Sequence, residues 1–274
     1  MIRILLFWLI EFALFVGIGS GFQKLLLKRT AFGLFDTFWL GLMAVIAVLQ
    51  WLHLVVPING ISFIAFILLG AVGLVFSSYR PRVAIDAWRS GDEDDRRRRW
   101  TAAALMIFVA CVCAARSAWL KLPTNGDTAL YHWNIVRWAN EYPAVPGIAN
   151  LHDRLGFNSS YLLWAAMIDN FWADRRAAAL MPGFLLVVVS VQWLHSIILD
   201  GRRQMLPARI YALLTFPFLV RLIWSLNPAL YYDNAQMFAT LVLFRSVLAW
   251  HCERKVTSFV VEQPTVSNWC AFLS

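Results

Sequence analysis

Apolar runs, several of them long enough to cross a bilayer, recur at about residues 4–22, 31–56, 61–76, 100–119, 178–199, 207–226 and 237–250. Roughly 18 or more apolar residues in a row match the hydrocarbon thickness and exceed what a soluble core helix needs. Inside hydrocarbon every backbone N–H and C=O must be satisfied within the protein, and no strand-period alternation is present, so the runs read as helices. Composition points the same way. The chain is 60% hydrophobic and 15% charged, whereas a soluble domain is nearer a quarter charged. The expected fold is an all-α polytopic membrane protein with about seven transmembrane helices.

The net charge of +8 would suit nucleic acid in a soluble protein. Here the basic residues cluster between apolar runs, as expected of loops retained on the cytoplasmic side, and nucleic-acid binding is not expected. Lys24, Lys28 and Arg29 follow the first run; Arg80, Arg82, Arg89 and Arg96 to Arg99 fill the segment 77–99; Arg202, Arg203, Lys255 and Arg254 follow later runs. The first run lacks a small-residue cleavage site and reads as a helix rather than a signal peptide. With the N-terminus outside, fifteen of the 24 Lys and Arg fall inside and seven outside, while Arg221 and Arg245 fall within spans. Charges within spans are costly against lipid, so both are expected to face protein or reach an interface. The four cysteines show neither metal-site nor disulfide spacing.

This topology divides the chain into N-terminal transmembrane helices (1–120) and a periplasmic loop with interfacial helices (121–177). Further transmembrane helices follow (178–252, with an outer loop at 226–236), then a ragged tail (253–274). The loop holds the one long polar block of the chain, "NGDTALYHWNIVRWANEYPAVPGIANLHDRLGFNSS" at 125–160. Pro146-Gly147 should break it into a helix over about 127–141 and a turn-rich second part. "YLLWAAMIDNFW" at 161–172 is too short to span and suits a helix lying in the outer interface.

Asp127 stands where a helix begins. It reads either as an N-cap accepting backbone N–H bonds or as a carboxylate offered to an amphiphilic substrate at the membrane surface. Asp233, in "NPALYYDNAQ", falls on the same side, with the same two readings. Arg137 and Arg154 are the loop's cations, suited either to headgroup contact or to holding a departing anion. Asp127, His132, His152 and Asp153 have ligand chemistry for a divalent ion, but no HxH or HExxH spacing joins them, so no cofactor is expected, with a divalent metal as the alternative.

The block from Gly126 to Ser160 resembles the first large outer loop of bacterial membrane proteins related to GT-C glycosyltransferases. The resemblance is close over 126–160 and only topological elsewhere. It implies a bacterial inner-membrane, multi-pass enzyme. The sugar would come from a polyprenyl-phosphate-linked donor and pass to a glycan or lipid acceptor of the cell envelope, with inversion. Asp127 then matches the catalytic base, and Asp233 the second acid from a later outer loop. Tyr131, His132, Arg137, His152, Arg154 and Asn158 become substrate-binding candidates. GT-C proteins carry around a dozen spans, so a chain with about seven reads as the N-terminal part of such a protein. The rival reading is a non-catalytic membrane protein, either a transport or flippase component or a degenerate relative. A transporter should carry ionisable residues in mid-span or paired broken helices.

Overall fold

The computed structural model describes residues 1–27, 33–75, 92–119, 126–156, 159–170, 175–199, 206–226 and 232–262. Helix α1 (Ile2–Phe22) runs on through a π-helical turn (Gln23–Leu27), and α2 (Leu34–His53), α3 (Gly60–Val75) and α4 (Glu93–Trp119) follow. The polar block enters α5 (Trp133–Glu141) through a second π-helical turn, Thr128–His132, and continues in two 3-10 turns, Ile148–Asn150 and Asp153–Gly156. Then come α6 (Ser160–Asp169), α7 (Ala177–Leu194, with a π-helical end His195–Leu199), α8 (Leu206–Trp224) and α9 (Tyr232–Glu262). No strand occurs among the described residues.

Five described helices are long and apolar enough to cross a membrane: α1, α2, α4, α7 and α8. Helix α3, with 16 residues, is shorter, and α9 is outside that set. Length and composition among the described residues thus support five of the seven crossings expected from the runs. The outward faces are apolar, as a lipid-facing surface requires: Ile107 and Phe108 of α4, Leu214 of α8 and Leu68 of α3 are all exposed.

Helix α4 begins at Glu93, seven residues before the expected Trp100. Asp92 accepts the backbone N–H of Asp95 at 2.7 Å, a cap on the first turn. Three acidic residues follow at the positive end of the helix dipole. Arg98 pairs with Asp95 at 2.6 Å, so part of the Arg run is helical. The rest of segment 77–99, up to residue 91, lies outside the described residues.

Helices α1, α2 and α3 pack backbone to backbone through glycine. A Cβ at Gly41 would overlap the carbonyl of Phe15, one at Gly19 that of Thr37, one at Gly17 that of Gly70, and one at Gly73 that of Gly17. Small residues at such crossings give membrane helices close van der Waals contact that lipid cannot offer. Around them Phe12 stacks on Phe38 at 5.0 Å, and Phe15 meets Phe38 and Trp164 edge-on, each at 5.5 Å.

The short helix α6 departs from expectation. Every residue from Tyr161 to Asp169 is buried, so it is enclosed by the bundle instead of lying along a surface with one face open. Ser160 accepts Gln50 of α2 at 2.5 Å. Trp164 donates its indole N–H to Glu11 of α1 at 3.0 Å. At the far end Asp169 accepts the backbone N–H groups of Arg175 and, through its carboxylate, of Ala177 at 3.0 Å. Its carboxylate thus satisfies an orphan donor at the start of α7.

Backbone bonds tie the block to one end of the bundle. Ile58, in the α2–α3 turn, donates to Ala139 of α5 at 2.7 Å, and Ala144 donates to His53 at 2.7 Å. Arg176 donates to Ser117 and Ala118 at the end of α4, and Arg116 to Trp224 at the end of α8. At the opposite end, Gln23 donates to Thr37 at 2.9 Å, and Arg209 to Ile197 at 3.1 Å. Arg245 donates to Ser196 at the π-helical end of α7, so it faces protein. Arg221 is exposed in the last turn of α8.

Candidate functional site

The break expected at Pro146-Gly147 is present. The helix ends at Glu141, Tyr142 is extended (φ −133°, ψ 151°), and Gly147 takes the left-handed conformation (φ 80°) that favours glycine. This reversal folds the second half of the block back over the first.

The fold-back joins Asp127 to Arg154. One guanidinium nitrogen of Arg154 lies 2.9 Å from Asp127 Oδ1, and both side chains are 44% exposed. The Asp127 side chain makes no capping hydrogen bond, and its backbone is already helical (φ −63°, ψ −40°). The N-cap reading of Asp127 therefore fails; its carboxylate turns to a cation 27 positions away. The guanidinium also stands over the Tyr131 ring, 5.2 Å from its centroid, a cation–π contact. Asp127 and Tyr131 are four apart, so one helical face presents both.

Three of the residues singled out in the sequence thus meet: Asp127, Tyr131 and Arg154. The others scatter. His132 is only 1% exposed and stands edge-on to Tyr131 at 4.2 Å, so it packs into the bundle rather than onto the surface. Arg137 is exposed on α5, about 15 Å along the helix from Asp127 at 1.5 Å per residue. His152 is exposed, and its Nδ1 accepts the backbone N–H of Arg154 at 3.2 Å, as does the Asp153 carboxylate at 2.8 Å. These bonds set the 3-10 turn that aims Arg154. Asn158 lies outside the described residues, and Asp233 falls in the first turn of α9, where only the backbone is described.

Among the described residues no group of three or more His, Cys, Asp or Glu side chains could hold a metal ion. The ligand set considered from sequence is split, with His132 buried and Asp153 88% exposed.

Glu11 is a further residue of interest, outside the polar block. It sits midway along α1, is 1% exposed, and its second carboxyl oxygen is buried without a partner among the described residues. A lone acid in an apolar run was the available signal, because such residues in membrane spans are costly and therefore informative.

A family described as "Domain of unknown function (DUF8201)" matches residues 1–259. No curated protein and no solved structure matches the chain.

Proposed function

This chain belongs to the DUF8201 family, and from that premise we propose that it carries a glycosyl-transfer site on the outer face of a bacterial inner membrane. In this reading the chain crosses the membrane about seven times, in a GT-C-like layout, and the donor is a polyprenyl-phosphate-linked sugar. The observation that carries the reading is the Asp127–Arg154 pair, a carboxylate and a guanidinium at 2.9 Å on the block that resembles a GT-C outer loop.

The chemistry assigns one partner to each end of the reacting centre. The acceptor hydroxyl oxygen forms a bond to the anomeric carbon while the bond from that carbon to the phosphate oxygen breaks. The hydroxyl proton passes to Asp127, and the electron pair leaves on the phosphate, which Arg154 holds by charge-assisted hydrogen bonds. Displacement from the opposite face inverts the sugar. At rest the two side chains hold each other; an incoming phosphate competes for the guanidinium and releases the carboxylate to act as base. Because in-line displacement puts the base and the leaving phosphate on opposite sides of the anomeric carbon, the two side chains part during the exchange, Arg154 staying over Tyr131 while the Asp127 carboxylate swings away. An exposed pair of this kind contributes only about 0–1 kcal/mol of stability, so its opening costs little.

A second reading, a transport or flippase component, is favoured by Glu11, an ionisable residue in mid-span. The two readings separate in nanodiscs holding the full chain and a radiolabelled polyprenyl-phosphate hexose. Transfer of label to a water-soluble or lipid acceptor supports the enzyme. Movement of the intact lipid between leaflets without transfer, abolished by Glu11→Gln, supports the transporter.

A further inference from the structure

We propose that a small neutral pocket beneath the folded-back half of the block receives the sugar ring of the donor. The proposal rests on the glycosyl-transfer reading above and adds where, and by which residues, the ring is held.

The pocket lies between the end of α2, the α5 helix and the segment 143–156, and encloses about 220 Å³. Water occupies about 30 Å³ in the liquid, so the cleft has room for several waters or one small ring. Among the described residues its lining contains no Asp, Glu, Lys or Arg. A charged ligand would find no counter-ion there, so the phosphate is excluded and a neutral group is favoured.

The polar groups present are few and of one kind. Gln50, His53 and Ser159 contribute an amide, an imidazole and a hydroxyl, beside the indole of Trp138. The Nδ1 atom of His53 is buried and lacks a partner at good hydrogen-bond geometry, with the Val56 backbone as a polar neighbour of the imidazole. Such an atom costs free energy until a ligand hydroxyl or water meets it. A pyranose suits this lining: its hydroxyl rim needs donors and acceptors, and its C–H faces pack on aromatic surface. Position fits as well. Leu155, which lines the pocket, follows Arg154 in the same 3-10 turn, so the turn that carries the cation assigned to the phosphate also borders the pocket.

The test uses the full chain in nanodiscs and two probes, a polyprenyl phosphate carrying a hexose and the same lipid without the sugar, with binding read by native mass spectrometry. The sugar-bearing lipid is expected to bind about tenfold more tightly, the scale of one or two net hydrogen bonds. His53→Leu removes the imidazole, and Ala144→Trp fills the pocket from an exposed position in the strap. Each should bring the two lipids to within about twofold of one another while leaving the sugar-free lipid bound as before. His53→Asn, which restores a polar atom, should recover part of the preference. A preference that survives both His53→Leu and Ala144→Trp overturns the pocket assignment and leaves the glycosyl-transfer reading standing, as does equal binding of the two lipids to the unaltered chain. Binding of neither lipid overturns both.

Discussion

Glu11 and Trp164 stand 153 positions apart, yet the indole N–H of Trp164 meets the Glu11 carboxyl at 3.0 Å inside the bundle. This bond fixes the enclosed helix α6 against α1, and α6 in turn continues the block that carries Asp127 and Arg154.

Removing one partner of that bond should hurt more than removing both. Trp164→Phe keeps the ring but leaves the carboxyl with neither oxygen bonded by the indole, at an expected cost of about 1–3 kcal/mol. Glu11→Gln retains an acceptor and should be close to neutral. The double variant Glu11→Leu with Trp164→Phe should recover part of the loss, because two apolar groups replace a broken polar pair. Thermal unfolding in detergent measures these three and the single variant Glu11→Leu, which completes the cycle. Additive losses in the double variant would show that the bond does not couple α1 to α6.

The glycine contacts sort by position. Gly41→Ala should destabilise by about 1–3 kcal/mol or more, since overpacking at a backbone contact has no flexible neighbour to yield; its Cβ would run into the Phe15 carbonyl. Gly21→Ala meets only Gly73 Cα, at 3.6 Å, and should be tolerated. Thermal unfolding of the two variants side by side checks the contrast.

Much of the helical layout is legible from hydropathy, because spacing and length of apolar runs are local properties of the chain. The start of α4 lies seven residues before the point where hydropathy puts it, since charge alone gives no sign that Asp92 caps a helix of Arg and Asp. The enclosure of α6 was not legible either. Its composition fits an interface as well as an interior, and only the distant Glu11 and Gln50 settle the matter. At the site, Pro146-Gly147 announced the turn, but not that the turn delivers Arg154 to Asp127. Pairing across 27 positions depends on the register of the fold-back. His132 looks equivalent to Tyr131 in sequence, and both are buried; only the fold-back, which brings Arg154 over the Tyr131 ring, tells them apart.

The proposed sidedness, with the block outside, rests on the Arg distribution. In a variant with all four cysteines replaced, Ala149→Cys should react with an impermeant thiol reagent in intact spheroplasts, and Asp92→Cys should not. Both positions are exposed, so access by the reagent reports the side alone. Reaction at position 92 only would turn the topology over and place the block in the cytoplasm.

Arg154→Gln should weaken binding of polyprenyl phosphate, sugar-bearing or not, by about tenfold or more, the usual scale for a charge-assisted contact to phosphate. Thermal stability should change little, because the Asp127–Arg154 pair is half exposed. Binding to the variant at wild-type strength would remove Arg154 from the phosphate site.

The role of Asp127 is tested most directly by the rate of sugar transfer from a radiolabelled polyprenyl-phosphate hexose in nanodiscs, measured for the wild-type chain and for Asp127→Asn. The substitution keeps size and a hydrogen-bond acceptor for Arg154 while removing the proton acceptor. The expected result is a fall in rate of about 10² to 10⁴ with donor binding and melting temperature unchanged. Transfer by Asp127→Asn at the wild-type rate would contradict the account and leave Asp127 as no more than the ionic partner of Arg154.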